Sequence, residues 1–221
     1  MHATIRALLI AGLASTGLAH ASITLNAVFG PALDSSGNTV PDGTLWALVV
    51  DDGDNSFAGG FGLGGAIASD TAAQADFTPG QQLAVGNTIG SDLIFAMGGF
   101  NGDAQELPGF AIEALELTLG GDLATGRETA FYFFPGVIYT TPGTYAVGSQ
   151  VGGLNALPVT GGDYDGYSMV IPPDSTAVSF GAIGIAAGGN VSDFQAMNLI
   201  PEPSAALLGA LGALRLLRRR R

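Results

Sequence analysis

Between residues 22 and 200 the apolar positions fall in short runs, and turn-forming residues interrupt them every 8–15 positions. No stretch of 12 or more residues joins a helical period to helix caps. The runs that read as strands are Ile23 to Phe29, Thr44 to Asp51, Leu83 to Ile89, Asp92 to Met97 and Leu115 to Leu119. Further along they are Glu128 to Phe134, Thr144 to Val147, Tyr167 to Ile171, Thr176 to Phe180 and Val191 to Leu199. Thr44 to Asp51 (TLWALVVD) is apolar at odd and even positions alike, the pattern of a strand covered on both faces. Turns such as Pro41-Asp42-Gly43, Thr78-Pro79-Gly80 and Thr141-Pro142-Gly143 supply the preset and positive φ angles that chain reversal needs. The pattern predicts an all-β domain over residues 22–200, an antiparallel β-sandwich or jelly-roll-like fold. Leu45, Trp46, Leu48, Val50, Phe131 and Phe133 are its expected core. Ala104 to Leu117 is the one segment where a short helix is expected, with Glu113 and Glu116 facing solvent. Gly59 to Ala68 and Gly181 to Gly189 read as glycine-rich loops or bulged edges.

The two ends follow other rules. Residues 1–21 have the three parts of a secretory signal: Arg6, the largely apolar Ala7 to Leu18, then Ala19-His20-Ala21. The small side chains of Ala19 and Ala21 suit cleavage by signal peptidase before Ser22, after passage through the export machinery. At the other end, Pro201-Glu202-Pro203 precedes the apolar Ser204 to Leu217, and Arg218, Arg219, Arg220 and Arg221 follow. As a helix, that apolar stretch spans roughly 21 Å, short of the ~30 Å hydrocarbon core, so it anchors weakly. The positive-inside rule sets Arg218 to Arg221 in the cytoplasm and the passenger outside. A signal helix and a C-terminal apolar helix are thus expected to flank the β domain, giving three segments: 1–21, 22–200 and 201–221.

This order of tripeptide, short Leu/Ala/Gly helix and terminal Arg run resembles the PEP-CTERM sorting segment of exosortase substrates. The likeness covers 201–221 and leaves the passenger unassigned. It implies an exosortase-like membrane protease as partner and cleavage near the tripeptide. It also implies a transient inner-membrane anchor before delivery to the cell surface or an exopolysaccharide matrix.

Charge narrows the passenger's chemistry. The whole chain is at −12, but residues 22–200 hold eighteen of the 19 carboxylates against one cation, Arg127, a net −17. Such a segment repels phosphate backbones, which excludes nucleic acid as a partner. There is no Cys, and both histidines fall in the first 20 residues. A Ser-His-Asp triad, a Cys nucleophile and an ordinary zinc site therefore have no residues to use. The densest polar cluster is Asp51, Asp52, Asp54 and Asn55, hard oxygen donors at a strand end that suit Ca²⁺. Asp52-x-Asp54-x-Ser56 begins like a helical calcium loop, but Phe57 and Leu63 stand where that loop has its Gly and its closing carboxylate. A bare solvated turn uses the same residue types. Asp163-Tyr164-Asp165-Gly166-Tyr167 offers a second turn, cation or sugar-stacking reading. Arg127 is expected in a salt bridge with Glu128 or on the surface.

Three functions compete on this basis. The leading one is a non-enzymatic surface or matrix protein associated with exopolysaccharide. A carbohydrate-binding module would need exposed coplanar aromatics. A glycan hydrolase would need two carboxylates facing each other at about 5–10 Å, drawn from Glu106, Glu113, Glu116 and Glu128.

Overall fold

The computed structural model describes residues 22–62, 65–67, 69–102, 107–118, 120, 123–155, 169–172, 177–183 and 194–199. Along them run β1 (Ser22–Gly30), β2 (Ala32–Leu33), β3 (Thr44–Val50), β4 (Ser56–Phe57), β5 (Phe61–Gly62) and α1 (Asp70–Asp76). Next come β6 (Gln82–Leu83), β7 (Thr88–Ile89), β8 (Asp92–Gly99), β9 (Ala111–Thr118) and β10 (Thr129–Ile138). The last are β11 (Tyr145–Ala146), β12 (Gln150–Leu154), β13 (Ala177–Ile183), β14 (Phe194–Gln195) and β15 (Met197–Asn198).

Two-sided apolarity makes β3 and β10 the centre. They pair antiparallel within a six-stranded sheet ordered β15-β12-β10-β3-β8-β7, and every residue of β3 is buried. On one face Trp46, Leu48, Val50, Phe131 and Phe133 form a core with Leu25, Ala27 and Phe29 of β1. The Phe29 ring stacks on Phe131 with centroids 4.1 Å apart. Through β1 a three-stranded sheet, β13-β1-β9, covers that face. Having one covered face, β1 alternates strictly between exposed and buried positions from Ser22 to Ala27. On the other face Leu45, Ala47, Val49, Ala130, Tyr132 and Phe134 form a second core with Phe57, Phe61, Ala73, Phe77 and Leu83. Tyr132 donates its buried hydroxyl to the Ala58 carbonyl at 2.8 Å, so this polar group is satisfied inside the core. Fully burying each such large side chain contributes about 1.5–3 kcal/mol. All six expected core residues are at most 1% exposed. Glycines make room for the widest of them. Trp46 lies opposite Gly98 and Phe133 opposite Gly152. A Cβ on those glycines would stand 2.3 Å from the Trp46 ring and 2.0 Å from the Phe133 ring.

The described residues are thus all-β with one helix, and several expectations need correction. The wholly antiparallel arrangement holds in the six-stranded sheet but not at β1–β13 or β2–β14, which pair in parallel. These partners lie far apart in sequence, so no hairpin imposes an antiparallel direction. The short helix expected within Ala104 to Leu117 is not one over its described part. Residues 111–118 are β9, paired along their whole length with β1. The helix is α1, whose Ser69 hydroxyl accepts the Ala72 N–H at 3.2 Å as an N-cap. Leu83 to Ile89 is split into β6 and β7 by a turn in which Asn87 N–H donates to the Ala84 carbonyl at 3.0 Å. Within Val191 to Leu199, β14 and β15 are separate short strands. Within Gly59 to Ala68, β5 pairs with β4 through Phe57 and Phe61. Among the described residues no helix is long and apolar enough to cross a membrane. The expected flanking helices lie outside the described residues.

Candidate metal centre

Asp51 follows the last residue of β3, and the chain then reverses through a loop built from its own carboxylates. Asp51 Oδ1 accepts the Asn55 N–H at 3.1 Å, and Asp52 Oδ1 accepts that of Asp54 at 3.1 Å. Asp54 Oδ1 accepts that of Ser56 at 2.8 Å. These Asx-type turns fold the segment back on itself and leave the second oxygen of each carboxylate outside the bonds named. Gly53 has φ +111° and its Cα lies against the Arg127 guanidinium, since a Cβ there would stand 2.2 Å from Nη1. Arg127 Nη1 donates to the Asp51 carbonyl at 3.3 Å.

Asp51 is buried and Asp52 and Asp54 are exposed, yet one oxygen from each lies within 4.8 Å of the others. Ligand distances of about 2.3–2.6 Å set oxygens across a Ca²⁺ ion roughly 5 Å apart, so this spacing admits a single ion. Asn55, named with them, enters the loop through its backbone N–H and takes φ 60°.

Two carboxylates join the cluster that sequence reasoning did not place there. Asp92 opens β8 at 1% exposure, and its Oδ1 accepts the Asp52 N–H at 3.3 Å. Burial, and then the charges of Asp51, Asp52 and Asp54, push its carboxyl up to about 7 against the lowering effect of that N–H. Glu128 is half-buried beside Asp51, whose N–H donates to the Glu128 carbonyl at 2.9 Å. Its carboxyl is raised, by burial first and by the charge of Asp51, while a hydrogen bond from Asn155 at 3.3 Å opposes the rise. A cavity of about 130 Å³ opens between Asp51, Asp52, Ser91 and Arg127, and one of about 140 Å³ between Asp54, Asp76 and Asp92. Both have room for an ion with several waters.

The other candidates are scattered. Glu113 and Glu116, three positions apart on a strand, project to opposite faces of β9. Tyr139 and Tyr145 stack on each other at 5.5 Å, so they are not a side-by-side platform. The Tyr145 hydroxyl accepts the N–H groups of Thr140 and Thr141, each at 3.1 Å, and braces that loop. Ala19, Ala21, Glu106, Asp163 to Tyr167, Pro201 to Pro203 and Arg218 to Arg221 lie outside the described residues. No family model matches the chain, and no curated protein or solved structure matches it either.

Proposed function

We propose that this chain is an exported, non-enzymatic cell-surface or extracellular-matrix protein, processed by an exosortase-like system and associated with exopolysaccharide. The observation that carries the reading is the order at 201–221 of Pro201-Glu202-Pro203, apolar stretch and Arg218 to Arg221, combined with the signal-like residues 1–21. Two layers of sheet around one core support the finer description of the passenger as a jelly-roll-like sandwich. The converging oxygens of Asp51, Asp52 and Asp54 support a weak Ca²⁺ site, through which an acidic passenger is bridged to anionic polysaccharide.

Mass spectrometry of the exported protein from a host carrying an exosortase tests the sorting step. The mature product is expected to begin at Ser22 and to end near Pro201-Glu202-Pro203. Neutral residues at Arg218 to Arg221 are expected to leave unprocessed precursor. An exported protein that still carries Arg221 overturns the reading.

A further inference from the structure

We infer that the side of the molecule between β8 and β9 is a docking slot for an extended, cationic polypeptide segment, which adds as a strand to the open edge of β9. The backbone bonding defines that edge. The Asn101 side chain grips Ile112 on the side away from β1: Nδ2 donates to the Ile112 carbonyl at 2.6 Å and Oδ1 accepts its N–H at 2.8 Å. The register of β9 on β1 is unbroken from Ser22↔Thr118 to Phe29↔Ala111. Residues of the same parity as Ile112 therefore turn their N–H and C=O groups outward: Ala114, Glu116 and Thr118. Among the described residues β9 pairs with β1 alone: Asn101 closes one end of its other edge, and no described strand pairs with the rest.

Across from that edge β8 diverges. Beyond Ile94, which bonds to the Gly86–Asn87 turn, β8 pairs among the described residues only with β3. Between the two strands lies a groove of about 540 Å³, floored by half-buried Phe95, Leu115 and Leu117 and rimmed by Val85, which is 59% exposed. A single extended chain fits these demands. Its backbone meets Ala114, Glu116 and Thr118, and alternate side chains enter the apolar floor.

Charge selects the occupant. Glu116 lines the groove, Glu113 lies on the same strand, and the only cation of 22–200, Arg127, is seated at the aspartate loop. Lys or Arg at the outward positions of the incoming strand complements this edge. A second copy of the chain does not: its own β9 carries Glu113 and Glu116 and no Lys or Arg, so it brings no positive charge to this edge.

The test uses the full chain in mild detergent and a fluorescein-labelled peptide, Lys-Val-Lys-Val-Lys-Val-Lys-Val. Saturable binding by anisotropy is expected below about 1 mM. Ala114→Pro removes an outward N–H without touching the β1 ladder, and is expected to weaken binding about tenfold or more with the melting temperature little changed. Glu116→Lys is expected to weaken it comparably. The equally charged peptide methylated at every backbone nitrogen, which has no amide donors, is expected not to bind. No saturable binding, equal binding of the N-methylated peptide, or an unaffected Ala114→Pro variant each overturns the inference. So does a groove whose Val85 and Leu117 signals respond to a neutral hexasaccharide and not to the peptide.

Discussion

Asp92 holds a carboxyl 1% exposed among three other aspartates, and this gives stability a pH dependence with a definite sign. Its folded pKa of about 7 lies above the 3.8 of an ordinary Asp, so the folded state keeps a proton that the unfolded state releases. The group's contribution is full below about pH 4 and is lost as pH rises towards 7. Asp92→Asn, measured in chelator, is therefore expected to melt like the wild type near pH 4 and several degrees higher above pH 7. The difference is on the order of a few kcal/mol. A second residue-scale prediction concerns unmet hydrogen bonds. Among the described residues the buried Thr44 hydroxyl and Trp46 indole N–H have no hydrogen-bond partner. Thr44→Val keeps the β-branched shape and removes the unmet group, so thermal melting is expected to show stabilisation of about 1 kcal/mol or more. Gly98→Ala works in the other direction. The new Cβ meets the fully buried Trp46 ring at 2.3 Å, and the same measurement is expected to show a loss of about 1–3 kcal/mol.

At the scale of elements, Asn101 does the work of a missing strand pair where β9 begins. Asn101→Ala leaves the N–H and C=O of Ile112 without these bonds. It is expected to cost about 1–3 kcal/mol, and hydrogen exchange should locate the change at Ile112 while the β3 amides stay protected. How much of this architecture the sequence discloses depends on how local its cause is. The run TLWALVV announces a two-sided strand because both its faces carry apolar side chains, and every residue of β3 is indeed buried. For β9 the local signal misleads. Two glutamates three apart suit a helix face, and only the eight-residue ladder with β1, nearly ninety positions earlier, makes the segment a strand. The α1 helix was open to discovery, because Ser69 stands as an N-cap before the Ala-rich DTAAQAD. The aspartate loop is visible in sequence as a cluster, whereas Asp92 comes to it from forty positions away and leaves no local trace.

For the molecule as a whole, the −17 over residues 22–200 and the crowding at one loop are the grounds on which a divalent cation is proposed as a stabiliser. A site of three carboxylates falls in the ~10⁻⁴–10⁻³ M range of extracellular modules. In about 5–10 mM Ca²⁺ the protein is expected to melt a few degrees higher than in EDTA, since an ion bound about tenfold above its Kd adds roughly 1.4 kcal/mol. Asp52→Asn combined with Asp54→Asn is expected to abolish that response at little cost in EDTA, because it also removes like-charge repulsion. Equal melting of the wild type in both buffers returns the loop to a bare turn. The seat of Arg127 has a further consequence outside electrostatics. Residues 22–200 contain no Lys and no other Arg, so a protease that reads basic residues finds one cleavable bond there. That residue's guanidinium lies against Gly53, its N–H donates to the Ala124 carbonyl at 3.2 Å, and its own carbonyl accepts the Ile171 N–H at 2.8 Å. For a protein proposed to work outside the cell, the contact that quiets the aspartate loop also withholds from trypsin-like enzymes the single place where they could begin to digest the domain.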